Sequence, residues 1–125
     1  MSTLKVSNIQ ATGETASRAV SGVAAAWVNF NGTGTVAIRD SFNNSSLTDD
    51  ATGKYSVTIT NAMSDGDYSL TLGAGSSTGT RNTNLMIDDS TAVPTATSVK
   101  YIARNENNTD VDCNFVFCNW TGDLA

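Results

Sequence analysis

Histidine is absent from this 125-residue chain. That removes the commonest general base, and with it the Ser-His and Cys-His arrangements of nucleophilic catalysis. Basic residues are few: seven Lys and Arg, scattered singly, against twelve Asp and Glu, for a net charge of −5. Without a Lys/Arg cluster to neutralise phosphates, neither nucleic acid nor an anionic membrane is expected as a partner. No apolar run approaches the roughly 20 residues that a membrane helix needs, and no apolar h-region follows the N-terminus, so neither membrane insertion nor a Sec signal is expected. There is no Gly-x-Ser-x-Gly elbow, and Gly73-Ala74-Gly75 lacks the following helix and the Lys of a phosphate loop. The only cysteines, Cys113 and Cys118, lie five apart on one predicted strand and so face opposite ways. They are expected as buried free thiols, because opposed side chains neither bridge nor, without His, supply the about four ligands of a zinc site. Asp65-Gly66-Asp67 lacks the spaced ligands and terminal Glu of a calcium loop. No cofactor and no metal are expected.

Ser, Thr, Asn and Gly are abundant instead, 55 residues together, while proline occurs once. Thr is β-branched and suits strands; Asn, Gly and Ser suit turns. With so polar a composition disorder is the rival to an all-β fold, but Val, Ile, Leu and aromatics recur at strand spacing, which favours a folded domain. The acidic pairs Asp49/Asp50, Asp65/Asp67, Asp88/Asp89 and Asp110/Asp112 fall in predicted turns. A glycosidase needs two carboxylates set across a cleft, but Asp in turns ordinarily caps its own backbone, and no enzymatic activity is expected.

The chain organises around Ala24 to Asn43. Two alternating runs flank Asn31-Gly32-Thr33-Gly34, and an Asn-Gly turn between such runs is the strongest short-range hairpin signal. In the first run Ala26, Val28 and Phe30 share one face, and Trp27 and Asn29 the other. In the second, Val36 and Ile38 oppose Thr35, Ala37 and Arg39. Asn43–Gly53 reads as a loop with Leu47 covering the core. Lys54–Asn61 turns Tyr55, Val57 and Ile59 inward, and Tyr68, Leu70 and Leu72 share the inner face of the next strand. Gly73–Asn84 reads as a long loop, Asn84–Asp88 as a short edge strand, and Thr97–Arg104 as a strand with Val99, Tyr101 and Ala103 on one face. The closing run, Val111–Trp120, places Val111, Cys113, Phe115 and Phe117 on one face and Val116, Cys118 and Trp120 on the other. A strand apolar on both faces is covered on both sides. The second cover is either another subunit, which makes all seven residues candidates for an oligomer interface, or loops of the same chain. Eight or nine short strands separated by turn signals predict an antiparallel β-sandwich of jelly-roll type over residues 23–125.

Residues 1–22 differ from the rest. Leu4, Val6 and Ile9 suggest a short strand with nothing local to pair with, hence an arm that docks on a neighbouring subunit or larger assembly, or else a frayed terminus. Sugars bind exposed aromatic faces fringed by amides and hydroxyls, and Trp27, Tyr101 and Trp120 are the candidate platforms, though each aromatic also suits a core.

The string Trp27-Val28-Asn29-Phe30-Asn31-Gly32-Thr33-Gly34-Thr35-Val36-Ala37-Ile38-Arg39-Asp40-Ser41-Phe42-Asn43, followed by Gly53-Lys54-Tyr55-Ser56-Val57-Thr58-Ile59-Thr60, resembles the distal domain of small tail-fibre-like virion proteins of bacteriophages, marine ones especially. The opening Thr3-Leu4-Lys5-Val6-Ser7-Asn8-Ile9-Gln10 is similar to their N-terminal segment. The resemblance is close from Ala24 to about Leu72 and looser beyond. It implies a virion structural protein, a homotrimer with an all-β tip, and names neither a receptor nor a place on the particle. Taken with the arm and the aromatic platforms, the expectation is a protein made in the host cytoplasm, attached to other virion proteins through its arm and contributing to contact with a host-surface glycan. The alternative within the same class is a capsid decoration protein that stabilises the head. Outside that class stand a monomeric sugar-binding module and a glycan hydrolase.

Overall fold

A computed structural model describes residues 2–9, 12, 18–19, 23–75 and 83–125. The described chain is all β, with no helix among those residues. Two short strands, β1 (Asn8–Ile9) and β2 (Arg18–Ala19), pair with each other. Eight longer ones follow: β3 (Ala24–Asn31), β4 (Ala37–Phe42), β5 (Asn44–Ala51), β6 (Lys54–Ile59), β7 (Ser69–Gly75), β8 (Asn84–Ile87), β9 (Ser98–Arg104) and β10 (Phe115–Thr121). They form two four-stranded antiparallel sheets. Sheet I runs β4-β3-β10-β7 and sheet II runs β5-β6-β9-β8. This is the expected sandwich.

Each sheet turns one side of its alternating residues into a shared core. Sheet I contributes Ala26, Val28 and Phe30 from β3 and Val116, Cys118 and Trp120 from β10; sheet II contributes Tyr55, Val57 and Ile59 from β6 and Val99, Tyr101 and Ala103 from β9. Two edge-to-face aromatic contacts cross between the sheets, Phe30 on Tyr55 at 5.1 Å and Tyr101 on Trp120 at 6.2 Å between ring centroids. Such pairs add about 1 kcal/mol each beyond the area they bury. Tyr68, Leu70 and Leu72 pack on the margin of this core, as their spacing predicts.

Polar groups at one end are satisfied as a unit. The Tyr55 hydroxyl donates to Gly32 O at 2.9 Å, and Gly32 N donates to Cys113 O at 2.8 Å. A Cβ at Gly32 would lie 2.4 Å from the Tyr55 oxygen, so the Asn-Gly turn needs glycine there for close approach. The positive φ of this connection falls two residues later, at Gly34 (+63°).

Several expectations change. Asn43–Gly53 is not a loop: Asn44–Ala51 is strand β5, the edge of sheet II, and only Leu47 packs on the core. An edge strand covered on one side needs few apolar residues, which is why its sequence looks like a turn. From β4 to β5 the chain changes sheets through a single residue, Asn43, in the left-handed region at φ +54°. Its amide donates to Ala25 O and Asn61 O, both at 3.0 Å, and its Oδ1 accepts from Asn61 N at 2.7 Å. Asn tolerates this backbone because its short polar side chain bonds locally. The predicted loop Gly73–Asn84 begins as strand, since β7 extends through Gly75; residues 76–82 of it lie outside the described residues. The closing strand begins at Phe115, not Val111, because 111–114 is irregular, tied by Val111 N to Ala103 O at 3.0 Å. Counting alternation through that stretch grouped Cys113 with Phe115 and Phe117, whereas Cys113 is fully buried and both phenylalanines are exposed.

In the arm, the expectation of an unpaired first strand is overturned. Asn8 pairs with Ala19 and Ile9 with Arg18. Leu4 and Val6 are exposed, and the side chain of Ile9 lies outside the described residues.

Candidate functional site

The two outer faces of the sandwich differ in chemistry. On sheet II the outward residues of β6 and β9 are Lys54, Ser56 and Thr58, and Ser98, Lys100 and Arg104, with Ile102 apolar and covered; beside it on β8 Met86 is the one exposed apolar side chain in register on this face. Lys54 reaches Asp88 at 3.7 Å and Arg104 pairs with Asp110 at 2.8 Å. This is a solvated face of the ordinary kind.

Sheet I is aromatic outside. Phe115 and Phe117 on β10 point away from the core, each 43% exposed, with near-parallel rings 6.5 Å apart. Beside Phe117 stands Asn29 of β3, and beside Asn119 stands Trp27, which in turn pairs with Phe42 of β4. Phe42 is there because of a bulge. Asn29 pairs with Asp40 but Phe30 with Ile38, so Arg39 is the extra residue. One inserted residue reverses the alternation beyond it and sets Asp40 and Phe42 on the outer face. Arg39 crosses β3: its Nη1 donates to Phe30 O at 2.9 Å, and its guanidinium carbon lies 4.6 Å from the centre of the Phe115 ring. On the other flank, Gly73 and Gly75 of β7 pair with Phe117 and Phe115. The rings overlie this bare backbone, with Phe117 Cδ2 3.5 Å from where a Gly73 Cβ would stand. Past Phe42 lies a mainly apolar groove of about 340 Å³ lined by Val23, Ala24, Ala25, Phe42, Gly122 and Leu124, with Asp123 as its one charged residue.

The residues expected to serve an interface or a ligand therefore separate. Phe115 and Phe117 are on the outer surface. Val116, Cys118 and Trp120, named for the same interface, are core residues at 1% exposure or less, and Val111 packs partly buried against the core. Of the expected sugar platforms, Tyr101 and Trp120 are buried and present no ring to solvent, while Trp27 is half-buried on the aromatic face. The correction has a simple cause. Alternation sorts a strand's residues into two sets but does not say which set meets the opposite sheet. Phe42 was missed as a member of the face because a bulge leaves no mark in composition; alternation by itself sets Arg39 opposite Val36 and Ile38.

The acidic pairs expected in turns divide: Asp49 and Asp50 lie on strand β5, where Asp50 accepts from the Ser56 hydroxyl, and Asp110 pairs with Arg104, while Asp65, Asp88 and Asp112 cap backbone. Asp65 accepts from Asp67 N at 2.9 Å, Asp88 from Ser90 N at 3.3 Å and Asp112 from Gly53 N at 2.7 Å. The Ser90 hydroxyl and backbone, with Lys54 nearby, hold the Asp88 carboxyl below the usual carboxylate range despite its burial. Among the described residues, no group of three or more Cys, Asp or Glu could hold a metal ion.

Both cysteines are free and buried. Burial raises the Cys113 thiol and pushes Cys118 up to about 12 from 9.0. Both are expected to react with a thiol reagent at pH 8 only at the rate of global unfolding; rapid labelling of either native thiol would contradict its placement. The folded state keeps the Cys118 proton while the unfolded chain releases it near pH 9. Its contribution to stability is thus complete below pH 9 and is lost progressively as pH rises toward 12.

The fold and this surface define a β-sandwich with one aromatic outer face. Comparison with protein-family models, curated proteins and solved structures finds no match for the chain.

Proposed function

We propose that this chain is a non-enzymatic virion structural protein of bacteriophage tail-fibre type, self-assembled as a homotrimer, held on the particle by its N-terminal arm and contributing to contact with host-surface glycans. The observation that carries this reading is the asymmetry of the sandwich: a polar, ion-paired outer face on sheet II and an aromatic one on sheet I. Aromatic and arginine side chains without Lys or Glu are the composition of contact surfaces. The sequence string from Trp27 to Asn43 supplies the phage context. Exposed Leu4 and Val6 suit the arm to attachment, and three copies of a weak glycan contact would gain by avidity.

Gold-labelled antibody against the chain, imaged on intact particles, tests the placement. Label at the tail tip or baseplate is the expected result. Label spread over the capsid would instead make the protein a head decoration, and loss of capsid stability without it would become the quantity to measure. Particles without label would remove the virion assignment altogether.

A further inference from the structure

We propose that copies of this chain associate through the outer face of sheet I, with the Phe115–Phe117 pair at the centre of the contact and Arg39 of one copy meeting Asp40 of the next. The inference rests on the reading above only in taking the protein to assemble with itself; it names the surface.

Three observations select a second copy as the occupant. The first is charge. The chain carries −5 overall. The outward residues of sheet I are Ala37, Arg39, Asp40 and Phe42 on β4, Ala24, Trp27, Asn29 and Asn31 on β3, Phe115, Phe117, Asn119 and Thr121 on β10, and Ser69, Thr71, Gly73 and Gly75 on β7. Arg39 and Asp40 are the only charges among them. The face is electrically neutral in an acidic protein, and its two opposite charges are neighbours. Bringing two such faces together incurs no like-charge repulsion, and each copy offers the counter-ion that the other needs. Asp40 accepts from the exposed Ser41 N at 2.9 Å, and Arg39 bonds within its own copy through Nη1, to Phe30 O at 2.9 Å and Asn29 Oδ1 at 3.5 Å.

The second observation is how the aromatic rings are used. A sugar stacks on a free ring face with unspent polar groups beside it. Here the Arg39 guanidinium covers one face of Phe115, and Phe115 stacks on Phe117. The Asn29 side-chain oxygen already accepts from Arg39 Nη1, at 3.5 Å. A ribbed pair of this kind suits the hydrophobic centre of a protein contact better than a glycan platform. The third is continuity. The aromatic face runs through Phe42 into the apolar groove between Val23 and Leu124, where the arm joins the sandwich. The apolar residues of the face thus recur from Phe115 to the root of the arm, interrupted by the uncharged Asn29 and Asn119 and, in the groove, by Asp123; a sheet that is apolar on both sides is covered on both.

The test uses the full chain and reads native mass by sedimentation across a concentration series. Wild type is expected to be oligomeric. Phe117→Ser is expected to raise the dissociation constant by about 30-fold or more, the effect of removing a central hot spot, while thermal melting of the dilute monomer changes little. R39D and D40R alone each set like charges across the contact and are expected to weaken assembly by about 10-fold or more. The double exchange R39D/D40R is expected to restore most of that loss. Since the double variant also loses the Arg39–Phe115 contact within one copy, its rescue reports the contact between copies and not the packing of the face. Assembly unchanged in Phe117→Ser, or no recovery in the double exchange, would overturn the proposed surface while leaving the virion reading untouched. A wild type that is monomeric at every concentration would overturn it as well, and so would a monomer whose binding to purified host polysaccharide is lost in Phe117→Ser, which would put a glycan on this face instead.

Discussion

Val116→Asp is expected to leave no cooperatively folded protein, whereas Phe117→Asp, one residue along the same strand, is expected to shift the melting temperature of the monomer by only a few degrees. Val116 is fully buried, in register with Phe30 on one side and Ala74 on the other. An Asp there either stays charged without a partner or takes up a proton; either way the cost is several kcal/mol, added to about 2 kcal/mol of lost apolar burial. A small domain holds only about 5–15 kcal/mol in total. Phe117 stands on the opposite side of the sheet. Its replacement loses the Phe115 stack and the contact over Gly73, about 1 kcal/mol, and the new carboxylate is in water. Circular dichroism melts of the two variants decide the matter. Equal unfolding of both would mean that Phe117 is covered within its own chain, as by the loops considered from sequence.

Gly53→Ala is expected to cost about 3 kcal/mol or more, while Gly34→Ala costs about 1 kcal/mol; both glycines sit in the left-handed region, at φ +67° and +63°, so both pay the conformational penalty of about 1–2 kcal/mol. They differ in what surrounds them. A Cβ at Gly34 meets nothing within 4 Å. A Cβ at Gly53 would lie 2.7 Å from Val111 N, 2.8 Å from Ala103 O and 2.9 Å from Val111 O, all backbone atoms that cannot rotate away. Relief requires shifting the chain, and that chain carries the bonds Ala103 N to Gly53 O at 2.7 Å, Val111 N to Ala103 O at 3.0 Å and Gly53 N to Asp112 at 2.7 Å. Urea unfolding of the pair measures the difference. Equal midpoints would show that the β5–β6 turn is not wedged against 103–111.

The strands most legible in the sequence were those with one apolar and one polar side. Lys54–Ile59 alternates strictly and Ala26–Asn31 does likewise; their buried sets are the expected Tyr55, Val57 and Ile59, and Ala26, Val28 and Phe30, with Ala25 buried in addition at the register shift against β10. β5 was not legible, because an edge strand with a single core residue has the composition of a loop. Nor was the pairing of β1 with β2, where Arg18–Ala19 is too short to show any period.

The surface was half legible. Alternation places Phe115 and Phe117 opposite Val116, Cys118 and Trp120, but both sets are apolar, so sequence left open which is core and which is surface. Sheet pairing settles it. Trp120 and Cys118 lie on the side that meets Tyr101 and the rest of sheet II, where the Trp120 ring finds its edge-to-face partner. That same pairing withdraws Tyr101 and Trp120 from any ligand, since a ring at the centre of the sandwich has no solvent face.

By itself the sequence determined the all-β class, the inward sets of the alternating strands and the burial of both thiols, because these follow from local periodicity and from what each side chain loses in leaving water. Tertiary structure alone decided the composition of the aromatic face. Trp27, Arg39, Phe42, Phe115 and Phe117 come from three strands that meet only when β10 inserts between β3 and β7. The one-residue bulge at Arg39 that turns Phe42 outward is a property of two paired strands, which neither strand carries alone.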